Sequence, residues 1–237
     1  PKPSSAASDV YKRQIIICKS ESQEIIKSIS VSGSVKAILT LDADGTGTLV
    51  DLSQDANTTA QIAQRCGTDM AALLYSSGTT GRPKGIMLSH DNLRSNAEIL
   101  VNAWGFSSSD RLLHMLPIYH VHGLFVGISC VLMSGASMSW HKSYNDDIAV
   151  TAMSKCTVMM GVPTYYTRLL NNHRFSTDCC QTMRLFISGS APLLTETFHQ
   201  FQARCGHTIL ERYGMSETNM NTSNPLNGER KPGTVGR

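Results

Sequence analysis

Charge is scarce in this 237-residue chain: 16% of its residues are Asp, Glu, Lys or Arg, and the formal net charge is +3. The basic residues are scattered, with no block of Lys or Arg interleaved with aromatics, which argues against nucleic acid as a partner. Seven cysteines, at 18, 66, 130, 156, 179, 180 and 205, form no Cys-x-x-Cys pair and no repeating spacing. That excludes a disulfide framework and a zinc knuckle and suits reduced, intracellular thiols. The vicinal pair Cys179-Cys180 is a redox candidate only against a plainer reading, because its surroundings are polar and carry no cationic pattern. A long apolar run is also missing. The charge-free stretch from Leu112 to Trp140 is broken by Pro117, His120 and His122, and the fourteen residues from Gly123 to Ala136 are too few to span a bilayer. They read as a buried helix. No signal peptide, internal repeat or low-complexity linker is visible. What remains, with 41% hydrophobic residues, is an ordinary globular composition with enough apolar material for a sizeable core.

The opening residues read as foreign. Ser8 to Gln14 back-translates to a string that looks like a transposase adapter from sequencing libraries, so residues 1 to 14 are set aside as a non-native leader and residues 15 to 237 are taken as one piece. Within them, Ile15 to Cys18 predicts a strand, and Lys36 to Leu41 with Thr48 to Leu52 predicts a hairpin turning at Asp44-Gly45. Asp42 to Gly45 lacks the acidic positions of a calcium loop, which leaves the plain turn. After Gly85 the chain alternates. A helix capped by Ser89 runs to Trp104, a strand spans Leu112 to Leu116, a helix Leu124 to Met133 and a strand Val158 to Val162. A strand at Leu185 to Ile187 then leads through a turn into a helix with Leu194, Phe198, Phe201 and Cys205 on one face, ending at Gly206. This is an α/β pattern, and ligands in such sheets sit where strand ends face helix N-termini.

The densest chemistry lies in Tyr75-Ser-Ser-Gly-Thr-Thr-Gly-Arg-Pro-Lys-Gly85, which places three glycines, four hydroxyls and a lysine behind an apolar segment. Glycines let backbone N–H groups curl around phosphate oxygens, hydroxyls add hydrogen bonds, and Lys84 supplies a mobile positive charge. The string is not a Walker A loop, since Pro83 precedes the lysine and Ile86 to Leu88 reads as a strand. A surface linker is the bland alternative. A second constellation, Glu211-Arg-Tyr-Gly-Met-Ser-Glu217, joins a ring for a purine at Tyr213, a hydroxyl for an α-phosphate at Ser216 and a hard oxygen ligand for Mg²⁺ at Glu217. Its bland alternative has both acids solvated and Tyr213 in the core. A third, Leu116 to Phe125, carries His120 and His122 in an apolar run, open to a metal site or to satisfied core histidines. A fourth, Gly161-Val-Pro-Thr-Tyr-Tyr-Thr-Arg168, ends in an arginine that is either a surface residue or a clamp for a carboxylate.

The phosphate-loop string resembles that of the adenylate-forming acyl-CoA synthetases, the superfamily that also holds luciferases and peptide-synthetase adenylation domains. With Met-Leu-Ser-His-Asp-Asn-Leu, Leu-Pro-Ile-Tyr-His, Gly-Val-Pro-Thr, Phe-Ile-Ser-Gly-Ser-Ala-Pro and Glu-Arg-Tyr-Gly-Met, the likeness covers about two thirds of the chain and is nearest to the malonyl-CoA synthetase branch. The resemblance implies part of the large N-terminal domain of that fold, with mixed sheets flanked by helices. It assigns Ser76, Ser77, Gly78, Thr79, Thr80, Gly81 and Lys84, with Gly189, Ser190, Ala191, Glu211, Arg212, Tyr213, Gly214, Met215 and Ser216, to ATP or AMP. Thr80, Lys84, His120 and Glu217 are its catalytic set, Glu217 is its metal ligand, and His120, Val121, His122, Arg168, Ser190 and Met215 line its acyl pocket, with Arg168 expected to clamp a second carboxylate.

The implied reaction activates malonate with ATP and Mg²⁺ to malonyl-adenylate and passes the acyl group to coenzyme A. Another short acid (methylmalonate, acetate or an aryl acid) or a non-catalytic nucleotide-binding remnant are the alternatives. The expected setting is cytoplasmic or mitochondrial. The chain stops at Gly233-Thr-Val-Gly-Arg237, before the ribose-binding aspartate, hinge and C-terminal lysine domain of that superfamily, so it is expected to be a fragment, inactive alone.

Overall fold

The computed structural model describes residues 14–29, 34–54, 56, 61–76 and 84–237. It divides into two compact units, Pro1–Gln64 and Arg65–Arg237. In the first, β1 (Ile15–Cys18) and β2 (Ala37–Thr40) pair in parallel, with α1 (Gln23–Ile29) between them. The expected hairpin does not form, because Thr48–Gln54 is a helix, α2. The cause is local. Thr40 N donates to Thr48 Oγ1 at 2.9 Å and Thr48 N donates to Thr40 Oγ1 at 3.0 Å, so the strand's last residue caps the helix entry. The turn at Asp42 to Thr46, closed by an Asp42 N to Thr46 O bond of 2.8 Å, redirects the chain instead of reversing it onto β2.

The second unit opens with an antiparallel hairpin, β3 (Met70–Ser76) and β4 (Lys84–Ser89). Ser89 then caps α3 (His90–Ala103) with a reciprocal bond to Asn92, as its sequence predicts. Six strands follow in one sheet: β5 (Arg111–His114), β6 (Ser137–Trp140), β7 (Val158–Gly161), β8 (Leu185–Ser188), β9 (Ile209–Met215) and β10 (Asn219–Ser223). Their spatial order is β10-β9-β8-β7-β5-β6. All pairs are parallel except β9 with β10.

Helices cover both faces. Against one lie α3 and α4 (Ile128–Ser134), packing Leu100, Trp104 and Val131 on Leu112, Val158, Met160, Ile187 and Leu210. Against the other lie α5 (Asp146–Met153), α6 (Pro163–Asn171) and α7 (Thr195–Cys205), packing Met153, Tyr166 and Phe201 on Leu113, Met159, Phe186 and Ile209. Strand alternation sends successive residues to opposite faces, and burial on both sides explains why these strands read as continuous apolar runs. Leu194, expected on the buried face of α7, is instead its 68% exposed N-cap residue. The helix expected from Leu124 begins as a π turn, His122–Gly127, before α4. Among the described residues no helix is long and apolar enough to cross a membrane.

Because β6 lies on one side of β5 and β7 on the other, the chain reverses its direction of travel between β5 and β7. The crevice beyond their carboxyl ends is where an open α/β sheet receives ligands. The opposite ends are tied by an ion pair whose carboxylate is buried and whose guanidinium is partly exposed. Arg184, just before β8, grips Asp110, just before β5, through Nε to Oδ1 at 2.7 Å and Nη2 to Oδ2 at 2.8 Å. Thr157 Oγ1 adds a 2.7 Å bond to Asp110 and Ser107 N one of 2.9 Å. Burial pushes the Asp110 carboxyl up, but the bonds from Arg184, Thr157 and Ser107 outweigh it and hold it at about 2. Asp110→Ala is expected to destabilise the protein by about 2–3 kcal/mol, read as a lower urea midpoint, because the Thr157 and Ser107 donors and the partly exposed Arg184 guanidinium lose their acceptor.

Candidate functional site at the strand ends

A cavity of about 390 Å³ opens beyond β5, β7, β8 and β9. Leu116, Pro117, His120, Val121, His122 and Gly123 follow β5, Val162 follows β7, Ser190 follows β8, and Arg212, Gly214, Met215 and Ser216 belong to β9 or lie just past it. The π turn shapes the first group. Gly123 N–Cα lies so close to Pro117 O that any Cβ would clash, and this tight pass delivers both His120 and His122 to the cavity. His120 is exposed and His122 is 5% exposed, and both line the cavity.

Ser190 takes φ = +68°, in the left-handed region that costs a non-glycine residue about 1–2 kcal/mol. Its Oγ lies 3.2 Å from His122 Nδ1. Behind it the Gly189 backbone lies against the Arg212 guanidinium, so closely that a Cβ at 189 would run into Arg212. Arg212 itself is 3% exposed, and neither its Nε nor its Nη2 has a hydrogen-bond partner. Burial pulls this guanidinium down to about 10, with Tyr166 acting the other way, so it is charged at neutral pH. An unpaired buried charge costs several kcal/mol. His122 is held neutral, well below the usual histidine range, first by burial and then by the charge of Arg212. His114, on β5 with its ring 4.7 Å from that of Trp140 and tilted 37° to it, is also buried without hydrogen-bond partners, and burial lowers it to about 4.

The structure therefore brings His120, Val121, His122, Ser190, Arg212, Gly214, Met215 and Ser216 to one cavity, with Gly189 behind it. Other expected residues lie elsewhere. Ser77 to Gly81, Thr80 included, and the side chain of Ser76 fall outside the described residues, while Lys84 is exposed at the start of β4. Tyr213 is 47% exposed, and Ala191 is exposed. Glu211 is buried and turned away from the cavity, accepting from Gly233 N at 3.1 Å, and burial raises its carboxyl. Arg168 does not line the cavity. It binds Asp146 Oδ1 at 2.8 Å and lies 4.8 Å over the Tyr144 ring.

Glu217 borders a smaller cavity of about 150 Å³ with Asn92, Ser95 and Asn219, whose buried Oδ1 has no partner. Among the described residues no group of three His, Cys, Asp or Glu is arranged to hold a metal. One carboxylate beside an orphaned amide oxygen fits a hard cation such as Mg²⁺ that takes its remaining ligands from phosphates and water.

The AMP-binding enzyme family matches residues 9–237, and the chain belongs to that family. A malonate–CoA ligase from Arabidopsis thaliana is 34% identical over 94% of this chain and 40% of its own length. A mitochondrial malonate–CoA ligase, ACSF3, from Xenopus laevis is 39% identical over 70% of this chain and 32% of its own. The crystal structure of ATP-bound MatB from Rhodopseudomonas palustris matches with a TM-score of 0.93 and 46% identity, over 98% of this chain and 46% of that one. The chain thus spans less than half the length of each of these relatives, and its fold is the N-terminal part of theirs.

Sequence reading assigned Arg212 to the nucleotide through resemblance and did not single out His114, which the structure buries. The signal for Arg212 was strand alternation, which puts it on the same face of β9 as Leu210. Titration of His114 supplies a test. The unfolded chain takes up the proton near 6.5 and the folded one only near 4, so stability falls as pH drops through this window. Between pH 7 and pH 5 the wild type is expected to lose about 2 kcal/mol through this group, a loss absent from His114→Phe in urea titrations at the two pH values.

Proposed function

We propose that the enzyme carrying this chain activates a short dicarboxylic acid, malonate, with ATP and then joins it to coenzyme A. One carboxylate oxygen attacks the α-phosphorus, forming a P–O bond as pyrophosphate leaves. The coenzyme A thiol then attacks the acyl carbon, loses its proton, and expels AMP. The observation that carries this reading is the cavity's lining: beside apolar residues it brings together His120, His122, the Ser190 and Ser216 hydroxyls and one guanidinium, which suits a short polar acid better than a fatty chain. Names of the Arabidopsis and Xenopus relatives support malonate as the acid.

In this reading Ser76, Ser77, Gly78, Thr79, Thr80, Gly81 and Lys84 embrace the β- and γ-phosphates. Ser216 donates to an α-phosphate oxygen, Tyr213 offers its exposed ring to adenine beside Gly189, Ser190 and Ala191, and Glu217 holds Mg²⁺, which neutralises phosphate charge when bound. His120 separates the nucleotide from the acyl end, where Val121 and Met215 set the room beside the acid's central carbon. The chain's work in the first step is positioning and charge compensation, not proton transfer. Compartment follows the relatives only loosely, as cytoplasm or mitochondrion.

The test is exchange of labelled pyrophosphate into ATP by the full open reading frame that contains this chain, supplied with malonate, methylmalonate, acetate or benzoate. Exchange strongest with malonate is expected. Preference for a monocarboxylate would overturn the substrate, and ATP binding without exchange for any acid would leave only a nucleotide-binding protein.

A further inference from the structure

We propose that the groove between α5 and the edge strand β6 is a second anion site, separate from the strand-end cavity, that receives the phosphoryl group of a small phosphate ester. The cavity there measures about 510 Å³, against about 390 Å³ at the strand ends, and the two share no lining residue. The proposal does not depend on which acid the enzyme activates.

Three cations from three different elements converge on the groove. Arg111 opens β5, Lys155 lies in the turn between α5 and β7, and Arg174 lies in the turn after α6. Among the described residues the side chains of Arg111 and Lys155 have neither a hydrogen bond nor a carboxylate within ion-pair distance. The one acid in the lining, Asp147, is already shared: it accepts from Asn172 Nδ2 at 2.9 Å and lies 3.6 Å from Arg174 Nη1. Three Lys and Arg charges facing one carboxylate disfavour a metal cation and leave positive charge uncompensated, which draws in an anion.

The backbone fixes where these cations start. Arg111 N donates to Thr157 Oγ1, and Thr157 N donates to Arg111 O, both at 2.9 Å. Arg174 N donates to Asn172 Oδ1 at 3.0 Å, while Asn172 Nδ2 donates to Asp146 and Asp147 at the start of α5. The Arg174 side chain then crosses to Thr151, one turn further along α5, donating from Nη2 to Oγ1 at 3.0 Å.

A phosphate ester suits this lining better than a carboxylate. The cations approach from separate elements, and a phosphoryl group presents three acceptor oxygens in different directions, whereas a carboxylate presents two in one plane. Ser139 Oγ and His141 Nε2, 3.1 Å apart on β6, add further polar atoms. Ile148, 46% exposed, and Ala152 complete the wall with apolar surface for the ester's carbon body. Arg111 and Lys155 are exposed, as is the Arg174 side chain, so each contact is screened and the dissociation constant is expected on the order of 1 mM.

The test is calorimetric titration of the full open reading frame with inorganic phosphate and with glycerol phosphate. Saturable binding is expected for both, with the ester about threefold tighter through its carbon body. Arg111→Gln and Lys155→Gln are each expected to weaken it by about tenfold, the loss of one charged donor. Asp147→Asn should act in the opposite direction and tighten it by about threefold, because it removes the one like charge in the wall. All three variants should keep the wild-type rate of ATP–pyrophosphate exchange and the wild-type KM for coenzyme A. Absence of binding up to about 20 mM would overturn the proposal. Binding unchanged in both Arg111→Gln and Lys155→Gln would place the phosphate at the nucleotide site and overturn it as well. A raised KM for coenzyme A in those variants would assign the cations to that substrate, and inorganic phosphate binding as tightly as the ester would overturn the ester. Should another variant fail to fold, Lys155→Gln decides, since it breaks no hydrogen bond of the fold.

Discussion

Asp110 and Arg184 hold the amino ends of the central strands in register, and the geometry at the other ends follows from that. The pair joins the residue before β5 to the residue before β8, with Thr157 before β7 bonded to the same carboxylate and the guanidinium reaching Trp104 O and Gly105 O at the end of α3. An ion pair with one partner buried and the other partly exposed adds little net stability. Its value here is positional, because it fixes three strand starts with short, directional bonds. Strands of four residues extend only about 13 Å, so an error at one end is carried almost undiminished to the cavity at the other.

That cavity inverts the usual relation between burial and charge. The interior of the sheet's α3–α4 face is apolar up to Leu210, and the next inward position on β9 is Arg212. Burial and the arginine's field together keep His122 uncharged, so the positive charge in this part of the cavity wall is concentrated in one group instead of spread over a cluster. The strained Ser190 and the glycine before it are where the backbone yields to make this arrangement fit. Strain, an orphaned cation and an imidazole nitrogen of His122 without a partner converge here, while at the opposite strand ends Asp110 is bonded by Arg184, Thr157 and Ser107, as expected of a protein that concentrates its unfavourable terms where it binds something.

The alternation of strands and helices after residue 85 was legible because each element carries its own signal: the Ser89 cap, Pro163 opening α6, and Gly206 in the left-handed conformation closing α7. The cavity residues of the third motif and Ser190, Met215 and Ser216 were legible through resemblance. The hairpin between residues 36 and 52 was misread because Leu49 and Val50 suit a strand as well as a helix, and the choice was made by two threonine hydroxyls eight residues apart. Arg168 and Arg212 could not be told apart as cavity cations from sequence. Which arginine has a carboxylate beside it depends on α5 delivering Asp146, a contact across 22 residues.

The π turn at His122–Gly127 sets how this region can be altered by insertion and deletion. Such a turn holds one residue more than an α turn, whereas each residue of an α-helix advances the chain by about 100° of rotation. Deleting one residue there would yield a more regular helix continuous with α4. Because the turn takes up the extra residue within one revolution, His120 and Val121 before it would keep their facing toward the cavity. A one-residue change inside the regular α4 that follows has no such allowance and rotates one side against the other by that angle.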